Sequence, residues 1–292
     1  MDSVRVRPMR EGDLESAERA SAVTFLAADR LSRRVGAPEP EPRSAAGSKQ
    51  WIDRMRFFLT VDPDGCWVAD VDGDVVGFAI SQNRGRLWYL ATYGVLPDHQ
   101  GKGIGKRLMD AVLAHADGRP GMFSSTVHPG ATRRYRLAGF SLHPQMHMVG
   151  TVDRSTLPAV TGLREGEIDD LAWMDRLDRD LRGAGHGPDH PYMLNTLRLV
   201  VSRAKGRPGY VYLGDRGQAV LLAAAHPRTA RDLLWEALAS ARGDTLVNCV
   251  TVANEWAVDV GLAARLDIGQ EGYLAVRGMN APAPYLAGGH FL

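Results

Sequence analysis

Between Gln100 and Lys106 the chain reads Gln-Gly-Lys-Gly-Ile-Gly-Lys, placing three glycines in five residues ahead of an amphipathic run that continues to residue 116. Before it come a short apolar run, 88–95, and a turn at Leu96-Pro97-Asp98. The pattern predicts a strand, a glycine turn and a helix start. Glycines so spaced let successive backbone N–H groups point one way, and the helix behind them adds the positive end of its dipole. Such a loop suits an anion. Gly105-Lys106 is followed by Arg107, which has no hydroxyl for Mg²⁺, so this is not a Walker A loop. The next strand, 122–127, ends without the acidic residue that a dinucleotide fold uses on the ribose.

Downstream, His-Pro-Gly-Ala-Thr-Arg-Arg-Tyr-Arg-Leu-Ala-Gly-Phe begins at His128 and sets Tyr135 four residues before Gly139-Phe140. A phenol titrates near about pH 10, so it holds its proton at neutrality and can act as an acid. The plainer reading of Tyr135 is a core aromatic on a helix over 131–138. Gln-x-x-Gly-x-Gly after a strand ending Val-x-Pro, followed by this segment, resembles in order the pyrophosphate loop and the Asn-x-x-Ala-x-x-x-Tyr-x-x-x-Gly-Phe segment of the GNAT superfamily of N-acetyltransferases. His128 stands where that family carries Asn.

The resemblance implies acetyl-CoA as cosubstrate, no metal, and transfer of an acetyl group to a primary amine by direct attack in a ternary complex. It implies that Gly101, Lys102, Gly103, Ile104, Gly105 and Lys106 hold the pyrophosphate and that Gln100 shapes the loop. Backbone groups near Tyr93 and Val95, freed by a bulge at Gly94, would meet the pantetheine arm and the acetyl carbonyl. His128 would reach the arm or only cap a helix, and Gly94 would serve a bulge or only relieve crowding. Tyr135 would protonate the departing thiolate.

The run 88–95 holds no glutamate, so the family's usual general base is missing. His99, His143 and His147 titrate in the right range, although a lone histidine is more often a bystander. Some multi-domain members bring a C-terminal carboxylate to the acceptor site, which offers Leu292, or His290 beside it, at the end of an apolar tail. His186, Asp189 and His190 have metal-ligand composition, but they sit among Gly and Pro, which reads as a loop.

These groups need a scaffold. Residues 4–7 alternate as a strand, 14–28 read as a helix, 30–49 as a long loop that would be a lid, and 51–58 as a second helix. Strands at 66–70 and 75–81 turn at Asp72-Gly73-Asp74 as a hairpin. Near residue 158 the pattern restarts. Leu163-Arg164-Glu165-Gly166-Glu167-Ile168 echoes Met9-Arg10-Glu11-Gly12-Asp13-Leu14, and a second hairpin turns about Asp215-Arg216-Gly217. The second copy runs from Ala225-His226-Pro227 into a helix with no glycine turn. It keeps Asn254 but puts Gly261 where Tyr135 would stand.

The expected fold is therefore α/β (α+β), two GNAT-like domains over 1–151 and 152–292, each a mixed, mostly antiparallel sheet flanked by helices, the second lacking the loop. Lys plus Arg number 35 against 34 Asp plus Glu, so no global field recruits nucleic acid or an anionic membrane. The expected partner is a small-molecule amine, with a homodimer left open. Two cysteines, Cys66 and Cys249, fall on separate strands and read as buried thiols. No membrane span or signal peptide is legible, which predicts a cytoplasmic protein. The alternative to an enzyme is a non-catalytic acyl-CoA binding or sensing module.

Overall fold

A computed structural model describes residues 4–33, 38–204 and 206–292. The first repeat runs β1 (Arg5–Pro8), α1 (Leu14–Ser32), α2 (Ala45–Val61), β2 (Cys66–Val71), β3 (Asp74–Arg84), β4 (Leu87–Val95), α3 (Ile104–Ala116), β5 (Gly121–Ser125), α4 (Pro129–Leu137) and β6 (Ser141–Thr151). The second runs β7 (Leu163–Glu165), α5 (Leu171–Arg182), α6 (Asp189–Thr196), β8 (Arg198–Ala204), β9 (Arg207–Leu213), β10 (Ala219–Ala224), α7 (Pro227–Ser240), β11 (Asp244–Thr251), α8 (Glu255–Ala263), β12 (Asp267–Arg277) and a short β13 (Tyr285–Leu286). The mixed α/β fold expected from the sequence is what forms. Two elements are longer than their patterns suggested: α1 extends to Ser32, and α2 begins at Ala45, where the Ser44 hydroxyl accepts the Gly47 N–H. The expected lid is thus shortened from both ends, and residues 34–37 within it lie outside the described residues.

The duplication is visible in side-chain chemistry. Arg7 grips Asp13 with two N–H donors at 2.7 and 2.8 Å, and Arg164 grips Asp170 in the same way at 2.8 and 2.6 Å. Each carboxylate also accepts the backbone N–H three residues before it, from Arg10 and from Glu167. The two positions are equivalent, so Arg164 corresponds to Arg7. The register suggested by the shared Arg-Glu-Gly string, Arg164 on Arg10, is three residues off, because that string is a chance match and the clamp is not.

The chain forms two compact units that do not follow the repeat boundary. Unit 1 comprises Met1–Asn83, Trp88–Gly121 and Val127–Ala138; unit 2 comprises Arg84–Leu87, Met122–Thr126 and Gly139–Leu292. In unit 1, β1, β2, β3 and β4 are neighbours in that order, with Val68 opposite Arg7 on one side and Phe78 on the other. Successive strand residues face opposite ways. Phe78 accordingly packs against Phe25 of α1 and Trp51 of α2, whereas a side chain on Gly77 would meet Leu108 of α3. Helix α3 buries Ile104, Leu108, Met109, Val112 and Ala116, and each large apolar side chain among them contributes about 1.5–3 kcal/mol.

Unit 2 holds two sets of strands, β5-β12-β6-β11 and β13-β10-β9-β8-β7. Strand β6 of the first repeat lies between two strands of the second: Met148 is opposite Ile268 on β12 and Val247 on β11. Helices α7 and α8 close its core around Met148, Val211, Leu222, Leu233, Leu234 and Trp256. Cys66 and Cys249 are buried and in no disulfide among the described residues, as the sequence suggested. No helix among the described residues is long and apolar enough to cross a membrane.

Candidate functional site

The glycine turn is built as its spacing required. Gly101 and Gly103 take left-handed φ of 76° and 80°, and open space lies where a Cβ would project from either. Among the described residues no acceptor takes the backbone N–H groups of residues 101–106, because the turn leaves the first amides of α3 without a partner. Gln100 Nε2 donates to the Val95 carbonyl at 3.0 Å, tying the loop to the end of β4, and Lys102 Nζ donates to the Asp98 carbonyl at 2.8 Å. Lys106 is paired with Asp110 at 2.6 Å. The anion cradle is therefore mostly backbone. A diphosphate fits it: consecutive free amides, no side chain in the way, and a helix N-terminus behind.

Gly105 has a different reason. Its φ is ordinary, but a methyl there would stand 2.5 Å from the Tyr93 hydroxyl oxygen, so the third glycine makes room for that phenol. Gly94 is also a packing glycine: a side chain on it would stand 2.8 Å from the Phe78 ring and 2.9 Å from Thr24.

Tyr93 and Tyr135 meet edge to face with ring centroids 6.2 Å apart. Burial pushes the Tyr93 phenol up to about 12, with Arg134 pulling the other way. Tyr135 is 5% exposed, and burial raises its phenol further, with Tyr93 adding to the effect. Both hold their protons at neutral pH. His128 caps α4, its Nδ1 accepting the Ala131 N–H at 3.4 Å. The loop, Tyr93, Val95, His128 and Tyr135 all fall in unit 1. Among the other histidines weighed for a base, His99 ends the turn after β4, and His143 and His147 lie on β6, with His147 4.0 Å from Glu271.

Leu292 belongs to unit 2, with its side chain fully buried and its N–H on the Gly288 carbonyl at 3.0 Å. The second copy also lacks space for a tyrosine at Gly261, because Met148 of β6 fills the position where its side chain would start.

The segment around His186 and His190 is more than a loop. His190 lies on α6, and His186 Nδ1 and His190 Nε2 both donate to Asp178 Oδ2 of α5, at 2.7 and 3.0 Å, while the Tyr210 hydroxyl donates to Oδ1 at 2.7 Å. Asp178 and the two histidines form a buried group of the type that could ligate a metal. Here they satisfy one another. Burial, reinforced by Arg182, drives His186 down to about 3, so it stays neutral. Sequence spacing missed this group because its carboxylate stands eight residues before the first histidine, on another helix. Asp189 goes elsewhere, into a buried pair with Arg84 at 2.6 Å.

A duplicated α/β fold whose first repeat keeps a glycine loop, with no such loop before the matching helix of the second among the described residues, defines a tandem protein. Residues 28–140 match the Acetyltransferase (GNAT) family. Mycothiol acetyltransferase of Streptomyces griseus is 31% identical over 119 residues, 39% of this chain and 38% of that protein, so the chain matches well under half of its relative's length. A candidate acetyltransferase from Pyrococcus horikoshii shares the fold with a TM-score of 0.75 at 17% identity, over 98% of this chain and 94% of its own. A tandem GNAT protein from the clavulanic acid biosynthesis pathway does so with a TM-score of 0.57 at 15% identity, over 96% and 100%. The family match is thus confined to residues 28–140, and over nearly its whole length the chain shares its fold with a tandem GNAT protein.

Proposed function

We propose that the protein is an acetyl-CoA-dependent N-acetyltransferase whose catalytic repeat is the first. The observation that carries this reading is the run of six free amides at residues 101–106 beside the paired phenols of Tyr93 and Tyr135. Bound acetyl-CoA would supply a thioester whose acyl carbon an amine nitrogen attacks. The loop amides would hold the diphosphate, and the backbone at Tyr93 and Val95, with His128, would hold the arm. Tyr135 would keep a proton on its hydroxyl for the leaving sulfur. The acceptor is a primary amine on a small molecule, since the near-even charge offers no docking field for a polyanion or a membrane. The protein acts in the cytoplasm, without a metal, alone or as a homodimer.

Leu292 or His290, at the end of the apolar tail, is the candidate for the base, and deleting the last four residues tests it: unchanged turnover rejects it. Free thiol release from acetyl-CoA with a panel of amines tests the function itself. The depth at which Tyr135 is buried favours a second reading, an acyl-CoA sensor. Binding without turnover, unaffected by Tyr135→Phe, would establish the sensor instead.

A further inference from the structure

The tail of the chain is paired into unit 2. Strand β13 runs antiparallel to β10, with Leu286 opposite Leu222 and Tyr285 opposite Ala223, and the Ala224 N–H donates to the Pro284 carbonyl at 3.2 Å. On its other side the tail is held by Asn254, at the corner between β11 and α8. Asn254 Oδ1 accepts the Tyr285 N–H at 2.9 Å, and its Nδ2 donates to the Pro282 carbonyl at 3.2 Å. Tyr285, Leu286, Phe291 and Leu292 are all buried.

The repeat gives these positions a meaning. Counted from the strand ends, Leu222 and Ala224 of β10 correspond to Tyr93 and Val95 of β4. Asn254, the residue before α8, corresponds to His128, the residue before α4. In the first copy these are the positions assigned to an extended acyl-carrying arm. In the second, the same strand edge and the same corner residue grip the chain's own backbone, which is likewise extended and offers N–H and C=O groups at alternating points.

We infer that residues 282–286 are a built-in occupant of the second copy's arm slot, so that each chain offers one acyl-CoA site and not two. The loss of the glycine loop and the filling of the slot are then one adaptation. With no glycine loop to hold a diphosphate, the strand edge of β10 would stand open, and an open edge is a site for unwanted pairing. The tail closes it. The assignment of the slot rests on the proposed function; the placement of the tail does not.

The test is amide hydrogen exchange by NMR on the full chain with and without coenzyme A, together with calorimetric titration of coenzyme A. The expected result is slow exchange at Ala224 and Tyr285 in both states and one equivalent bound per chain. A variant ending at Asn280 should lose protection at Ala224 and regain it with millimolar S-acetylpantetheine. Two equivalents bound by the full chain, exchange at Tyr285 at unstructured-chain rates, release of Tyr285 by coenzyme A, or no recovery with S-acetylpantetheine would each overturn the inference. Should the shortened chain not fold, Asn254→Ala in the full chain takes its place: faster exchange at Tyr285 with unchanged stoichiometry supports the inference, and unchanged exchange rejects it. If no coenzyme A binds while Ala224 and Tyr285 remain protected, the proposed function fails and the tail's placement stands.

Discussion

At the scale of single residues, the candidate site brings together two packed phenols and glycines that serve different ends. Replacing Tyr135 with Phe removes the proposed acid while leaving the ring that packs on Tyr93, so turnover should fall on the order of 10²-fold with little change in KM for acetyl-CoA. Steady-state kinetics on a folded variant reads this directly. Gly103→Ala must adopt a φ of 80° and should cost about 1–2 kcal/mol of stability. Gly105→Ala fails for another reason, collision with the Tyr93 hydroxyl, and overpacking of that kind costs about 1–3 kcal/mol. In the double variant Tyr93→Phe/Gly105→Ala the penalty should shrink, which urea unfolding of the four proteins would reveal.

His186 supplies a pH dependence. Its folded value is lowered from 6.5 to about 3 by burial, so between those values the unfolded chain binds a proton that the native chain does not. Stability from this group is complete above about pH 6.5 and declines as the pH falls toward 3. The melting temperature should drop on going from pH 7 to pH 4, and His186→Gln should flatten that slope. A slope unchanged in the variant would assign the effect to the carboxylates.

Among the elements, the Arg–Asp clamp at the head of each repeat fixes the turn from first strand to first helix. Asp170→Ala would strand the Trp173 indole N–H and the Glu167 amide as well as Arg164, and about 1.5–3 kcal/mol should be lost by chemical denaturation. Asp13→Ala should cost a similar amount, since Arg7 and the Arg10 amide lose the same carboxylate. Element order and type were legible because helices and strands here follow local periodicity. Register was not, since a three-residue string can match by chance whereas the clamp joins residues six apart. Strand β8 escaped notice in the sequence, and α2 was cut short there because its Gly47 and Ser48 look like loop chemistry until the Ser44 cap is seen.

For the molecule as a whole, the exchange of strands couples the repeats. Strand β6 is paired on both sides by β11 and β12, so a fragment of residues 1–151 would expose both of its edges. Such a fragment should self-associate or fail to fold, and size-exclusion chromatography against the full chain would show it. A well-behaved monomer would contradict the pairing.

The amino-acid sequence alone determined the mixed α/β plan, the glycine turn at 101–105 ahead of a helix and the want of such a turn before the matching helix of the second copy, because each of these is written in local spacing and periodicity. Only the tertiary structure decided that Gly94 and Gly105 are packing glycines, that Asp178 joins His186 and His190, that β6 is lodged among strands of the second repeat, and that the tail lies on β10. Those features are contacts between residues far apart in the chain. Their partners are selected by shape and by unsatisfied hydrogen-bonding groups, which no local pattern records.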